Sequence, residues 1–161
     1  MCRSGSLSDS RVMTLLEDSF VPVQIDISQQ GAELAEIAPG LAVWESVRRS
    51  HWKYRFGYAT SVVVDGDGKR VLAASGWGRW WEYGTCANFN PDLYLAFLLT
   101  GQERHRRLTS LRAAPPGPER AAALGDLSRE ILDSLHAAYD AKTEKPRGEA
   151  RRKRRPIYGE E

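Results

Sequence analysis

The sequence predicts an α/β fold, on three grounds. Residues 58–72 form the pattern of two antiparallel strands around a tight turn. Val62-Val63-Val64 is a short β-branched run, Asp65-Gly66-Asp67-Gly68 tolerates positive φ, and Arg70-Val71-Leu72-Ala73 resumes an extended pattern. A helix, a strand and a helix are predicted before this hairpin, and a strongly signalled helix after it. Finally, 42% hydrophobic and 9% aromatic content describes a globular chain, and 161 residues suffice for one core plus tails.

The elements follow in order. Val12, Leu15 and Leu16 fall at helical spacing behind Ser8 or Asp9 as N-cap, with Glu17 and Asp18 near the far end. Val21, Val23, Ile25 and Ile27 alternate, which predicts a strand over 21–27 with Pro22, which cannot donate to a ladder, near its start. Residues 28–31 form a loop, and 32–38 and 41–50 are helical pieces interrupted by Pro39-Gly40. Leu41, Trp44 and Val47 keep the helical period in the second piece. After the hairpin comes an aromatic loop, Trp77-Gly78-Arg79-Trp80-Trp81-Glu82-Tyr83.

Asn90-Pro91-Asp92 is a helix start, with Asn90 as N-cap, Pro91 in the first turn and Asp92 favourable to the dipole. Leu93, Tyr94, Phe97, Leu98 and Leu99 give this helix an apolar face that fades into Glu103-Arg104-His105-Arg106-Arg107. The expected organisation is a domain over 1–108, a Pro-rich linker over 109–120 around Pro115-Pro116-Gly117-Pro118, and an amphipathic helix over 121–142. Leu124, Leu127, Ile131, Leu135 and Ala138 mark that helix, and Gly125 weakens it. Residues 143–161 are polar and charged, the composition of a disordered basic tail.

The formal charge of +2 conceals an asymmetry: residues 147–161 hold six Arg or Lys against three Glu, and the body is nearly neutral. Arg151, Arg152, Lys153, Arg154 and Arg155 suit non-specific contact with nucleic-acid phosphates, and equally a solvated tail. Trp52, Lys53, Tyr54, Arg55 and Phe56 interleave aromatics with bases, as a nucleic-acid face or a half-buried helix end would. No apolar run approaches the roughly 20 residues that cross a bilayer, and no secretory apolar region follows Met1-Cys2-Arg3-Ser4-Gly5. The expected address is the cytoplasm, with no membrane partner.

Cys2 and Cys86 stand 84 positions apart, with neither C-x-x-C nor zinc-ligand spacing, and are expected as free thiols. His51, His105 and His136 have no ligand spacing to one another. Gly76, Gly78 and Gly84 permit tight turns, but no Gly-Lys-Ser/Thr follows to make a phosphate loop. No catalytic residue, cofactor or metal is assigned.

Two stretches carry a family resemblance. Leu7-Ser8-Asp9-Ser10-Arg11-Val12, then Leu15-Leu16, then Phe20-Val21-Pro22-Val23 with Asp26, resembles the phrase that follows the redox helix in thioredoxin-like proteins. Ala59-Thr60-Ser61-Val62-Val63-Val64-Asp65-Gly66-Asp67-Gly68 is similar to their "P-T-x-V-V-x-D-x-D-G". Together they cover roughly residues 6–100. The resemblance implies a thioredoxin-like fold incomplete at its N-terminus, with an additional C-terminal helix and the tail.

Two departures matter. The family's C-x-x-C would fall before Met1, and Cys2 lies too close to Asp9 to belong to it. Ala59 stands where the family has its cis-proline; a non-proline cis bond costs about 2.5–4 kcal/mol, so a trans bond is expected there. The resemblance also implies a central strand between 21–27 and 60–65 for which the chain has no sequence, so either the chain starts late, the favoured expectation, or another segment fills the slot.

The expected function is therefore a protein of the thiol–disulfide oxidoreductase lineage that is redox-inactive as given. An upstream C-x-x-C would restore an enzyme. The alternative is a non-catalytic interaction module that captures a protein partner through Trp77, Arg79, Trp80, Trp81 and Tyr83, or through the sheet edge left by the missing strand.

Overall fold

Strand β1 (Val62–Val64) pairs antiparallel with β2 (Val71–Ala74) in the computed structural model, which describes residues 5–24, 39–44, 61–75 and 90–140. Asp65 closes the turn between them. Its carbonyl accepts from Gly68 N–H at 2.9 Å, its N–H donates to Arg70 O at 2.9 Å, and its Oδ1 accepts from Arg70 N–H at 2.8 Å. Gly68 sits at φ 69°, the left-handed region that the Asp-Gly-Asp-Gly pattern predicts.

The ladder slips once. Val62 faces Ala74 and Val63 faces Ala73, but Val64 faces Val71, so Leu72 is an extra residue in β2. In a regular strand, adjacent side chains point to opposite faces. The bulge suspends that rule: Leu72 and Ala73 both enter one cluster with Val63, while Val62, Val64, Val71 and Ala74 serve a second.

Helices cover both faces. Helix α1 (Ser10–Ser19) starts at Asp9, whose side chain accepts from Arg11 N–H, and delivers Val12 fully buried to the first cluster, with Leu15 and Leu16 packed against it. Helix α2 (Pro91–Ala113) starts at Asn90, whose Oδ1 accepts from Asp92 and Leu93 N–H, as the sequence predicts. It buries Tyr94, Phe97, Leu98, Gly101, Arg104 and Leu108. Arg11 pairs with Asp92 at one end and Ser19 meets Gln102 at the other, so α1 and α2 run in the same direction. On the opposite face, residues 40–44 are helical and bring Trp44 onto Val71 and Leu135.

Helix α3 (Pro118–Asp140) folds back along α2. Leu127 joins the first cluster and Leu135 the second, so α3 spans both sides of the hairpin. The linker expected over 109–120 is shorter than that: α2 runs to Ala113 and α3 starts at Pro118. Pro at the first helical turn has no N–H to lose, so Pro118 opens the helix where linker composition had suggested a gap. The helix expected over 121–142 accordingly begins three residues earlier and contributes to the core.

Residues 21–24 correct a second expectation. Among the described residues they pair with no strand, and Val21 and Val23 are exposed at 88% and 73%. Apolar alternation describes a half-buried strand only when a neighbouring strand supplies the ladder, and Pro22 removes one donor. Residues 25–27 of that prediction, the loop 28–31 and the helical piece 32–38 lie outside the described residues, as do 45–50. Among the described residues the architecture is thus mixed: helices around a small two-stranded antiparallel sheet. Among the described residues no helix is long and apolar enough to cross a membrane.

Two glycines set close approaches. A Cβ at Gly40 would come within 2.6 Å of the Arg70 backbone nitrogen, and Gly40 N–H donates to Gly68 O at 3.0 Å. A Cβ at Gly101 would meet Val63 Cγ1 at 2.8 Å, where α2 crosses β1. Gly101→Ala gains helix propensity of about 1 kcal/mol, but it overpacks a stiff β-branched side chain at about 1–3 kcal/mol. The expected outcome is a net loss of up to about 2 kcal/mol, measured by urea unfolding; a stabilised variant would show that Val63 yields.

Candidate functional site

Arg104 is the least expected side chain in the molecule. It belongs to the stretch that the sequence assigns to a polar helix end, yet the residue is only 6% exposed. Its position falls on the buried side of α2, four residues before Leu108 and three after Gly101. Nη1 donates to the carbonyl of the bulged Leu72 at 2.8 Å and to Ser134 Oγ at 3.0 Å; Nε donates to Glu130 Oε1 at 3.1 Å. One guanidinium thus joins α2, β2 and α3. A buried arginine is tolerated only when its charge and donors are matched, and here a carboxylate, a hydroxyl and a carbonyl do so.

Glu130 also accepts from Arg107 Nη1 at 2.8 Å. Hydrogen bonding from Arg107 and then from Arg104 holds the Glu130 carboxyl below its ordinary value of 4.5, against a partial desolvation that pushes the other way. Ser134 Oγ in turn donates to Ile131 O at 2.8 Å.

A second polar cluster surrounds the hairpin turn. The Asp65 side chain is fully buried, with Oδ2 at 3.1 Å from Arg112 Nη2 in the last turn of α2. Asp67 lies 3.9 Å from the same nitrogen and 3.7 Å from Lys69 Nζ. A third cluster closes the open end of the hairpin. Tyr94 hydroxyl donates to Ser61 Oγ at 2.7 Å, Ser61 N–H donates to Ser75 Oγ at 3.1 Å, and Ser75 N–H donates to Ser61 O at 2.9 Å. Near the chain start, Arg11 holds the Asp9 carboxyl low, and Asp9 and Asp92 raise Arg11.

These arrangements position backbone and helices. Among the described residues no group of three or more His, Cys, Asp or Glu is placed to hold a metal. His105 and His136, both described, lie on different helices, α2 and α3. Trp77, Arg79, Trp80, Trp81 and Tyr83, the cis-proline position Ala59, and Arg151, Arg152, Lys153, Arg154 and Arg155 lie outside the described residues, as do Cys2, Cys86 and His51. The residues that sequence reasoning missed are Arg104, Asp65 and Arg112. A signal for Arg104 was present: it continues the apolar spacing of Phe97, Gly101 and Leu108.

Comparison with protein-family models, with curated proteins and with solved structures found no match.

The Glu130 pairing sets a pH dependence. A carboxyl whose folded value is depressed contributes stability above its ordinary value of 4.5 and loses it as pH falls through the lower folded value. Glu130→Gln should unfold more readily at neutral pH and lose less of its remaining stability on acidification than wild type. Urea midpoints across that range measure it; parallel pH profiles would mean that the pair contributes nothing.

Proposed function

We propose that this chain is a thioredoxin-like scaffold of the thiol–disulfide oxidoreductase lineage that works by binding a protein partner. The observation that carries the reading is the hairpin closed by Asp65-Gly66-Asp67-Gly68, followed by the Asn90-capped helix and preceded by α1. This is the element order that the resemblance implies for the part of the fold around 60–100. The sheet sits between α1 and α2 on one side and the 40–44 helical segment on the other, which suits an α/β scaffold. The strand proposed over 21–27 adds no support, since 21–24 are unpaired.

Binding is favoured over dithiol exchange because the chain has two cysteines and no C-x-x-C. The proposed contact surfaces are the aromatic residues Trp77, Arg79, Trp80, Trp81 and Tyr83, and the outer edge of β1. That edge pairs only with β2 among the described residues. β2 is the less available of the two, because Arg104 occupies the Leu72 carbonyl and α3 packs beside it. The proposed address is the cytoplasm, where two free thiols persist.

Insulin reduction with dithiothreitol tests the redox half of the reading: the chain should not accelerate precipitation above the thiol background, and turnover would overturn it. Trp80→Ala tests the binding half. It should leave thermal unfolding unchanged and weaken retention of whatever partner wild type holds; a lowered melting temperature would place Trp80 in the core instead.

A further inference from the structure

We propose that α3 is an exchangeable strap, and that the groove it fills between α2 and β2 accepts the α3 of a second copy of this chain. The inference stands on the described helices and is independent of any thioredoxin-like reading.

The connection is the first ground. Two helices of 23 residues each are joined by residues 114–117, Ala-Pro-Pro-Gly. Consecutive prolines stiffen a connection and limit how it can reverse. A side-chain clasp, Arg120 Nη1 to Ala114 O at 2.9 Å, bridges the reversal. A short, stiff hinge between long elements is the geometry from which exchange between copies proceeds.

The attachment is the second ground. Among its described side chains α3 buries Leu127 and Leu135, with Leu124 and Ile131 partly covered, whereas α2 buries six residues. The polar part of the attachment is the Arg104 group, where Glu130 and Ser134 of α3 meet a guanidinium that already holds Leu72 O. When α3 leaves, Arg104 keeps its carbonyl partner within its own body and regains water on the side that α3 had enclosed. Departure therefore leaves no buried charge without a partner, so the cost lies in the two leucines and the two ion pairs that Glu130 makes with Arg104 and Arg107.

The occupant follows from complementarity. The vacated groove presents Leu72, Arg104 and Leu108 on one side and Val71 with Trp44 on the other. A second copy's α3 offers Leu127, Glu130, Ser134 and Leu135 at the spacing that already fits, so the contacts of the groove are remade between molecules.

The test straightens the hinge in the full chain. Pro115→Ala, Pro116→Ala, Gly117→Ala and Pro118→Ala together favour one continuous helix from 91 to 140, rising about 1.5 Å per residue and carrying α3 away from its own groove. The expected result is a doubling of mass by light scattering, with amide protection of Leu72–Ala74 and of α3 kept at the wild-type level. Adding Arg104→Met should then weaken the dimer by about tenfold or more, as loss of a buried hydrogen-bonded charge implies. A quadruple variant that stays monomeric overturns the proposal, and so does a dimer that Arg104→Met leaves equally tight. Should the quadruple variant lose protection throughout, concentrated wild-type protein is warmed into the lower half of its thermal transition and cooled. A dimer that survives dilution supports exchange, and recovery of monomer alone overturns it.

Discussion

The bond from the Arg104 guanidinium to the Leu72 carbonyl is the constraint around which the described structure is arranged. A bulge gives β2 one residue more than its partner can match, and the carbonyl of that residue needs a donor from elsewhere. A buried cation on the neighbouring helix supplies it, and the cation in turn demands an anion. Glu130 and Ser134 meet that demand and so draw α3 onto the hairpin. An irregularity of one residue in a strand is thereby linked to the placement of a helix that starts 46 residues downstream.

The same bulge explains how so small a sheet organises two clusters. Seven residues in two strands cannot bury much on their own, and an isolated hairpin is marginal in water. Turning Leu72 and Ala73 toward α1 and α2, while Val71 and Ala74 face Trp44 and Leu135, lets nearly every residue of β2 contribute apolar contact. The turn is fixed independently, by the buried Asp65 side chain between the Arg70 amide and Arg112. Hairpin and α2 are therefore tied at both ends: Tyr94 to Ser61 at the open end, Arg112 to Asp65 at the turn.

Much of this was legible from residue types acting over short range. Asp9 and Asn90 cap their helices because their side chains reach amides two or three positions on, and Gly68 takes the left-handed turn because it has no Cβ. Val12 and Phe97 were readable from helical period. What was illegible depends on partners distant in sequence. Arg104 looks like a solvated charge until Leu72 and Glu130 are beside it, and Val21 and Val23 look like strand residues until no strand pairs with them. The extent of α2 and α3 was misjudged for a local reason, since Pro118 serves a helix start as readily as a linker. The aromatic and basic candidate surfaces were named from composition alone, and they fall outside the described residues.

Gly40 carries one more consequence. Its missing side chain lets a helix start press directly on the main chain of Arg70, the residue before β2. Main chain pressed on main chain has no side chain to rearrange, so every other amino acid at position 40 must pry the turn open or lift Trp44 off its cluster. In a saturation library screened for folded protein, position 40 should tolerate nothing but glycine, whereas Gly66, with open space around it, should accept a broad range of substitutions.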